Sequence, residues 1–338
     1  MEKSKNKHLS FLIFIYCILG VRCNSQNLNS TIENEKLTLV SKVGLPNVTG
    51  RIDHISYDTT NQLAFIAALD NNTVEIVDVS AKRVVRTIPG LHEPQGVVYI
   101  PSSKKLVIAN GDNGDCIFFD AATYKQLGVV HLKSDADNIR FDSTSQLLYV
   151  GYGSGAIAVI DANSMKLIGE IPLDGHPESF QLSKKQDRIY INVPDANEIE
   201  IANLSSGKII SKWKNTNASS NFPMALDERD HRLYIGCRSP AKLRMIDTET
   251  GKDISTVSCS GDADDVFFNT SDNLIFVSTG KGFIDVFRVN GKDLVQINHI
   301  GTSRGARTSL LLSTEGKFLL AVPAHNGALA ALWIYHTD

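Results

Sequence analysis

From Leu63 to Ile88 the apolar positions fall into three short runs, Leu63–Ala67, Val74–Val77 and Val84–Ile88, separated by polar triplets. None shows the 3.6-residue spacing of an amphipathic helix, so the pattern predicts three consecutive β-strands. Asp70-Asn71-Asn72 and Ser80-Ala81-Lys82 supply the turns. Asn and Asp suit such turns because they tolerate positive φ at little steric cost. A unit of this kind has apolar side chains on both faces and is stable only between neighbours.

The neighbours follow in the sequence. The strand end at Asp78 recurs at Asp120, Asp161, Asn203, Asp247 and Phe287, at intervals of 40 to 44 residues, and an incomplete copy closes the chain around Trp333. A further short strand precedes each copy: RIDHISYD at 51, EPQGVVYIP at 93, DADNIRFD at 135, HPESFQLS at 176, FPMALDER at 222, DADDVFFN at 262 and ARTSLLLS at 306. Seven all-strand units with a period of about 40 predict a seven-bladed β-propeller of four-stranded antiparallel blades. The last unit lacks its outermost strand, and residues 36–44 (KLTLVSKVG) match the outermost strand of the first full unit (KRVVRTIPG). The N-terminal strand is therefore expected to join the C-terminal blade and close the ring, leaving no open sheet edge.

Composition agrees with this picture and narrows the function. Of 338 residues, 42% are hydrophobic and 21% charged, which suits one large domain with an extensive core. The formal net charge of −3 offers no basic excess, so a nucleic-acid partner is not expected. Lys3, Lys5 and Lys7 precede the apolar run Phe11–Val21, which is short for a membrane span and has the form of an export signal. The expected division is a signal peptide at 1–25, a flexible leader at 26–35 and a propeller at 36–338, without a transmembrane anchor. The expected location is periplasmic or extracellular. Lipid attachment at Cys23 is the alternative, which Arg22 disfavours.

The second unit carries a family resemblance. Its Pro94-Gln95-Gly96-Val97 opening, its Ile108-Ala109-Asn110 strand end and its Asp120-Ala121-Ala122-Thr123 turn resemble those of the YVTN-repeat β-propellers. The resemblance implies an exported seven-bladed bacterial propeller over residues 36–338. The chain departs from the pattern at Val150-Gly151, Asn192-Val193, Gly236-Cys237, Asn203 and Phe287. Such propellers serve many roles, so fold alone assigns none.

The repeat does map a candidate site. In a propeller the first strand of each blade lines the central channel, and the loops entering it converge on one face. Those positions hold Arg51, Asp53, His54, Asp137, Asn138, His176, Glu178, Asp264, Asp265 and Arg307, a concentration of charge that turns alone do not require. Acids from opposite blades would flank a polar or cationic ligand near the axis, with Arg51 and Arg307 holding any carboxylate or phosphate on it. The primary expectation is a monomeric module binding a small polar ligand or a protein partner.

Two other functions fit the same residues. One is a lactonase- or lyase-like hydrolase using His54 with Asp53, or His176 with Glu178, as acid and base. The other is a protein-interaction scaffold. Cys-x-x-Cys-His, Gly-x-Ser-x-Gly and His-Glu-x-x-His are all missing from the sequence, so no catalytic residue, cofactor or metal site is assigned. Cys237 and Cys259 fall at one blade boundary and form a candidate disulfide.

Overall fold

The computed structural model describes Met1 and residues 37–337. The expected signal segment, leader and Cys23 lie outside the described residues. Seven four-stranded antiparallel sheets succeed one another along the chain, and three one-turn 3-10 segments are the only helical elements among the described residues.

The innermost strands are Ile55–Asp58, Pro94–Ile100, Ala136–Asp142, Phe180–Ser183, Ser219–Asp227, Ala263–Asn269 and Ser309–Leu312. Closure occurs as expected. Leu37–Gly44 is the outermost strand of blade seven and pairs antiparallel with Ala331–Thr337, from Leu37 opposite Thr337 to Gly44 opposite Ala331.

Two-residue periodicity explains the cohesion of the ring. In the second strand of blade one, Ala64, Ile66 and Ala68 pack toward blade seven, while Phe65 and Ala67 pack toward blade two. Both faces of that strand are buried, which is why Leu63–Ala68 is a continuous apolar run rather than an alternating one. The same division yields a separate apolar cluster at each of the seven blade–blade boundaries.

The recurring Asp is turn chemistry. Asp120 Oδ1 accepts hydrogen bonds from the amides of Ala122 and Thr123 and from the Thr123 hydroxyl, and Asp247 does the same for Glu249 and Thr250. These bonds hold both carboxyls below the usual carboxylate range, although burial opposes the shift at Asp247. In blade six the register places Arg288, not Phe287, opposite Leu274, as Asp78 lies opposite Leu63. Phe287 is instead wholly buried in the boundary between blades five and six.

The Cys237–Cys259 pair is corrected by the same alternation. Both residues are free thiols. Cys237 packs in the cluster between blades four and five, whereas Cys259 packs against the cluster between blades five and six. The two side chains thus serve opposite faces of blade five.

Candidate functional site

The inner strands surround a cavity of about 520 Å³ to which every blade contributes. Its walls mix apolar side chains, Val97, Ile139, Met224, Phe267 and Leu310 among them, with the polar Ser56, Tyr57, Gln181 and Ser309, and His54, Arg140 and Asp265 add charged or ionisable groups. The mouth is built by repetition. Five residues before the end of each inner strand the blades place Asp53, Gln95, Asp137, Glu178, Phe222, Asp264 and Arg307 in order. A single register position thus carries four acids and an arginine around one axis. The close approach of blades two and three requires Gly96, since a Cβ there would lie 2.0 Å from the Asp137 carbonyl oxygen.

Each of the four arginines is committed. Arg51 reaches Asp53 at 2.7 Å. Arg307 donates to Asp262 at 2.9 Å and meets Asp264 at 2.8 Å. Arg238 bonds the other oxygen of Asp264 and the Ala263 carbonyl, and lies 3.6 Å above the Phe222 ring. Arg140 donates to Asn138 Oδ1 at 3.2 Å and to the Ile139 carbonyl at 2.9 Å.

The remaining acids are less well served. Asp135 accepts from Gln95 at 3.0 Å and lies 3.4 Å from His176, whose Nδ1 donates to the Gly153 carbonyl at 2.6 Å. Asp265 accepts the Ser309 amide at 2.6 Å. Asp137 is 6% exposed, yet its Oδ1 has no hydrogen-bond partner. His54 Nε2 stands 3.6 Å from that oxygen and 3.7 Å from Asp53. The Glu178 carboxylate has no hydrogen-bond or ion-pair partner among the described residues.

Protonation follows from these environments. Burial, reinforced by the nearby Asp53 and Glu178, raises Asp137 well above the usual carboxylate range. Glu178 is pushed up to about 8 by burial and by Asp264, against the pull of Arg238. Burial also raises Asp264 and Asp265, and it lowers His54, favouring the neutral imidazole. The mouth therefore holds acids that its own cations do not suffice to keep ionised.

All ten expected site residues lie at this mouth. The expected role of Arg51 and Arg307 as anion holders does not fit the geometry, because both are bound to aspartates. Arg140 and Arg238 went unread. Arg140 occupies a channel-facing place in the otherwise apolar stretch Ile139–Phe141, and Arg238 lies just past Gly236-Cys237 on a second strand that runs to Ser239. An Arg interrupting a blade pattern is the signal that marks both.

No protein-family model matches the chain. Among solved structures, the fold is similar to a chain of the mitotic checkpoint complex, with a TM-score of 0.76 at 14% identity, covering 98% of each chain. It is also similar to a chain of Kuenenia stuttgartiensis hydrazine synthase, with a TM-score of 0.75 at 12% identity, over 89% of this chain and 98% of that one. These likenesses establish the propeller architecture. Among the described residues no helix is long and apolar enough to cross a membrane.

Proposed function

We propose that the protein is an exported propeller that binds a small polar ligand at the channel mouth. The observation that carries this reading is the unsatisfied Asp137 carboxyl, buried beside His54 in a ring of charged side chains over a cavity of mixed polar and apolar lining. Burying a charged group without a partner costs several kcal/mol, so such groups persist where a ligand completes them. A thermal-shift screen of small polar compounds tests it. The expected result is a ligand that raises the melting temperature of the parent protein and has a smaller effect on His54→Ala. A screen without any such compound, or stabilisation unaffected by His54→Ala, contradicts the proposal.

A hydrolytic role has one specific observation in its favour. His54 is held neutral by burial and stands between two carboxylates, as a general base requires. Turnover of a lactone or ester that His54→Ala abolishes supports this second reading, and ligand stabilisation without turnover favours the binding module. Export is tested by sequencing the N-terminus of secreted protein, which is expected to begin near Gln26.

A further inference from the structure

The mouth also indicates the sign of its ligand. Its ionic network contains seven acidic side chains (Asp53, Asp135, Asp137, Glu178, Asp262, Asp264 and Asp265) and four guanidiniums, so the acids outnumber the arginines by three. The distribution matters more than the total. Each of these four guanidiniums already has a carboxylate, carbonyl or amide oxygen, so an incoming anion finds none of the four uncommitted. The groups left over are acids: Asp137, with an orphaned buried oxygen, and the partly buried Glu178, whose carboxyl has no hydrogen-bond or ion-pair partner among the described residues.

A bare metal ion suits this arrangement poorly. Oxygen ligands must come within about 2.6 Å of a calcium ion. Among the described residues, the one trio of possible ligands whose atoms all lie within 4.8 Å of one another is Asp174, Glu198 and Glu200, away from these two acids. An ammonium or guanidinium group has several donors that point in different directions, and it bridges more widely spaced carboxylates.

We infer that the ligand is a small organic cation whose ammonium or guanidinium group is held by Asp137 and Glu178 beside His54. The inference rests on the mouth being a ligand site, and its test separates the two. The probes are 3-phenylpropylammonium, 3-phenylpropionate and 3-phenylpropanol, which share one hydrocarbon, able to contact the apolar side chains of the channel, and differ in charge. Binding of each is measured by calorimetry on the mature protein and on the double variant Asp137→Asn/Glu178→Gln.

The ammonium is expected to bind roughly tenfold more tightly than the other two, as one charge-assisted hydrogen bond supplies. That preference should vanish in the double variant, whose substitutions remove charge and keep volume. If the parent protein takes the propionate as well as the ammonium, the inferred sign is overturned while the ligand site stands. A preference that survives in a folded double variant overturns the assignment to Asp137 and Glu178. If none of the three binds at millimolar concentration, the ligand-site reading fails, and the inference with it. The parent protein's own selectivity decides the sign even if the variant does not fold.

Discussion

The mouth and the third strands of the blades both bury charged side chains, yet they treat them differently. Glu75, Glu200, Arg244 and Asp285 occupy one register position, opposite Ile66, Ile191, Ile235 and Val277 on the second strands. All four are buried and each has at least one hydrogen-bond partner, while Glu200 Oε2, which makes no hydrogen bond, stands 3.4 Å from the Lys212 ammonium. Asp285 accepts from the Ser260 amide at 2.6 Å, the Ser260 hydroxyl at 3.1 Å, Gln296 at 3.1 Å and His299 at 2.6 Å. Glu75 accepts from Thr73 and Thr87, Glu200 from the Asp174 amide, and Arg244 pairs with Asp253 and Asn215.

In three of the four blades the partner belongs to the loop arriving from the preceding blade: Asp174, Asn215 or Ser260. These charges fasten one blade to the next. The mouth uses the same residue types with the opposite outcome. Among the described residues neither Asp137 Oδ1 nor the Glu178 carboxyl has a hydrogen bond, and no cation stands nearer to either than His54, at 3.6 Å from Asp137. A satisfied buried charge is an architectural part, whereas an unsatisfied one on the axis is held ready for something the fold does not supply.

The largest expected effect lies on the satisfied side. Asp285→Ala strands the Ser260 amide and should cost about 3 kcal/mol, measured as a lower urea midpoint at unchanged slope. A loss under about 1 kcal/mol would break the comparison, because it would show that the fastening is dispensable.

The unsatisfied side should respond to pH instead. A raised carboxyl binds its proton more tightly in the folded state, so its contribution to stability is full below the unfolded pKa and is lost as pH rises through the folded one. For Glu178 that window runs from 4.5 to about 8. Asp137 moves in the same direction. The groups acting on Glu178 are Asp264, Arg238, Asp53 and Arg51, and those acting on Asp137 include Asp53, Glu178, His176 and Arg51. The melting temperature should fall across this window, and Asp137→Asn/Glu178→Gln should flatten the fall. A slope that the double variant leaves unchanged would assign the pH response elsewhere.

A smaller effect sharpens the contrast. Asp137→Asn alone at neutral pH should change stability by no more than about 0.5 kcal/mol or raise it, since it replaces a carboxyl oxygen to which the fold gives no hydrogen bond. A loss comparable to that of Asp285→Ala would place Asp137 among the architectural charges. The smallest effect concerns the thiols. Burial, then Asp285 and Cys237, push Cys259 up to about 12, so its alkylation in folded protein should be slow at neutral pH and quicken in alkali. On unfolding without reductant, Cys116, Cys237 and Cys259 should all alkylate, which mass spectrometry reads directly.

The architecture was legible because a propeller writes its period into the chain. Asp78, Asp120, Asp161 and Asp247 each accept turn hydrogen bonds from the residues that follow, so the same residue returns wherever the same turn does. Side chains that meet across blades leave no such trace. Whether Arg307 is free or tied to Asp262 depends on a residue 45 positions away, and Arg140 and Arg238 stand where a repeat template expects nothing charged. Likewise, Cys237 and Cys259 are close in sequence, and only the pleat shows that they serve opposite faces of one sheet. The sequence located the mouth, but its charge balance depends on the pairings.

The central claim, that Asp137 and Glu178 are carboxylates left unpaired by the fold, is tested most directly by carboxyl-carbon NMR titration of the free protein. Glu178 is expected to titrate near 8, and Asp137 well above the ordinary 3.8 of an aspartate. Ordinary midpoints for both, near 4.5 and 3.8, would contradict it by showing that the folded mouth already satisfies their charge.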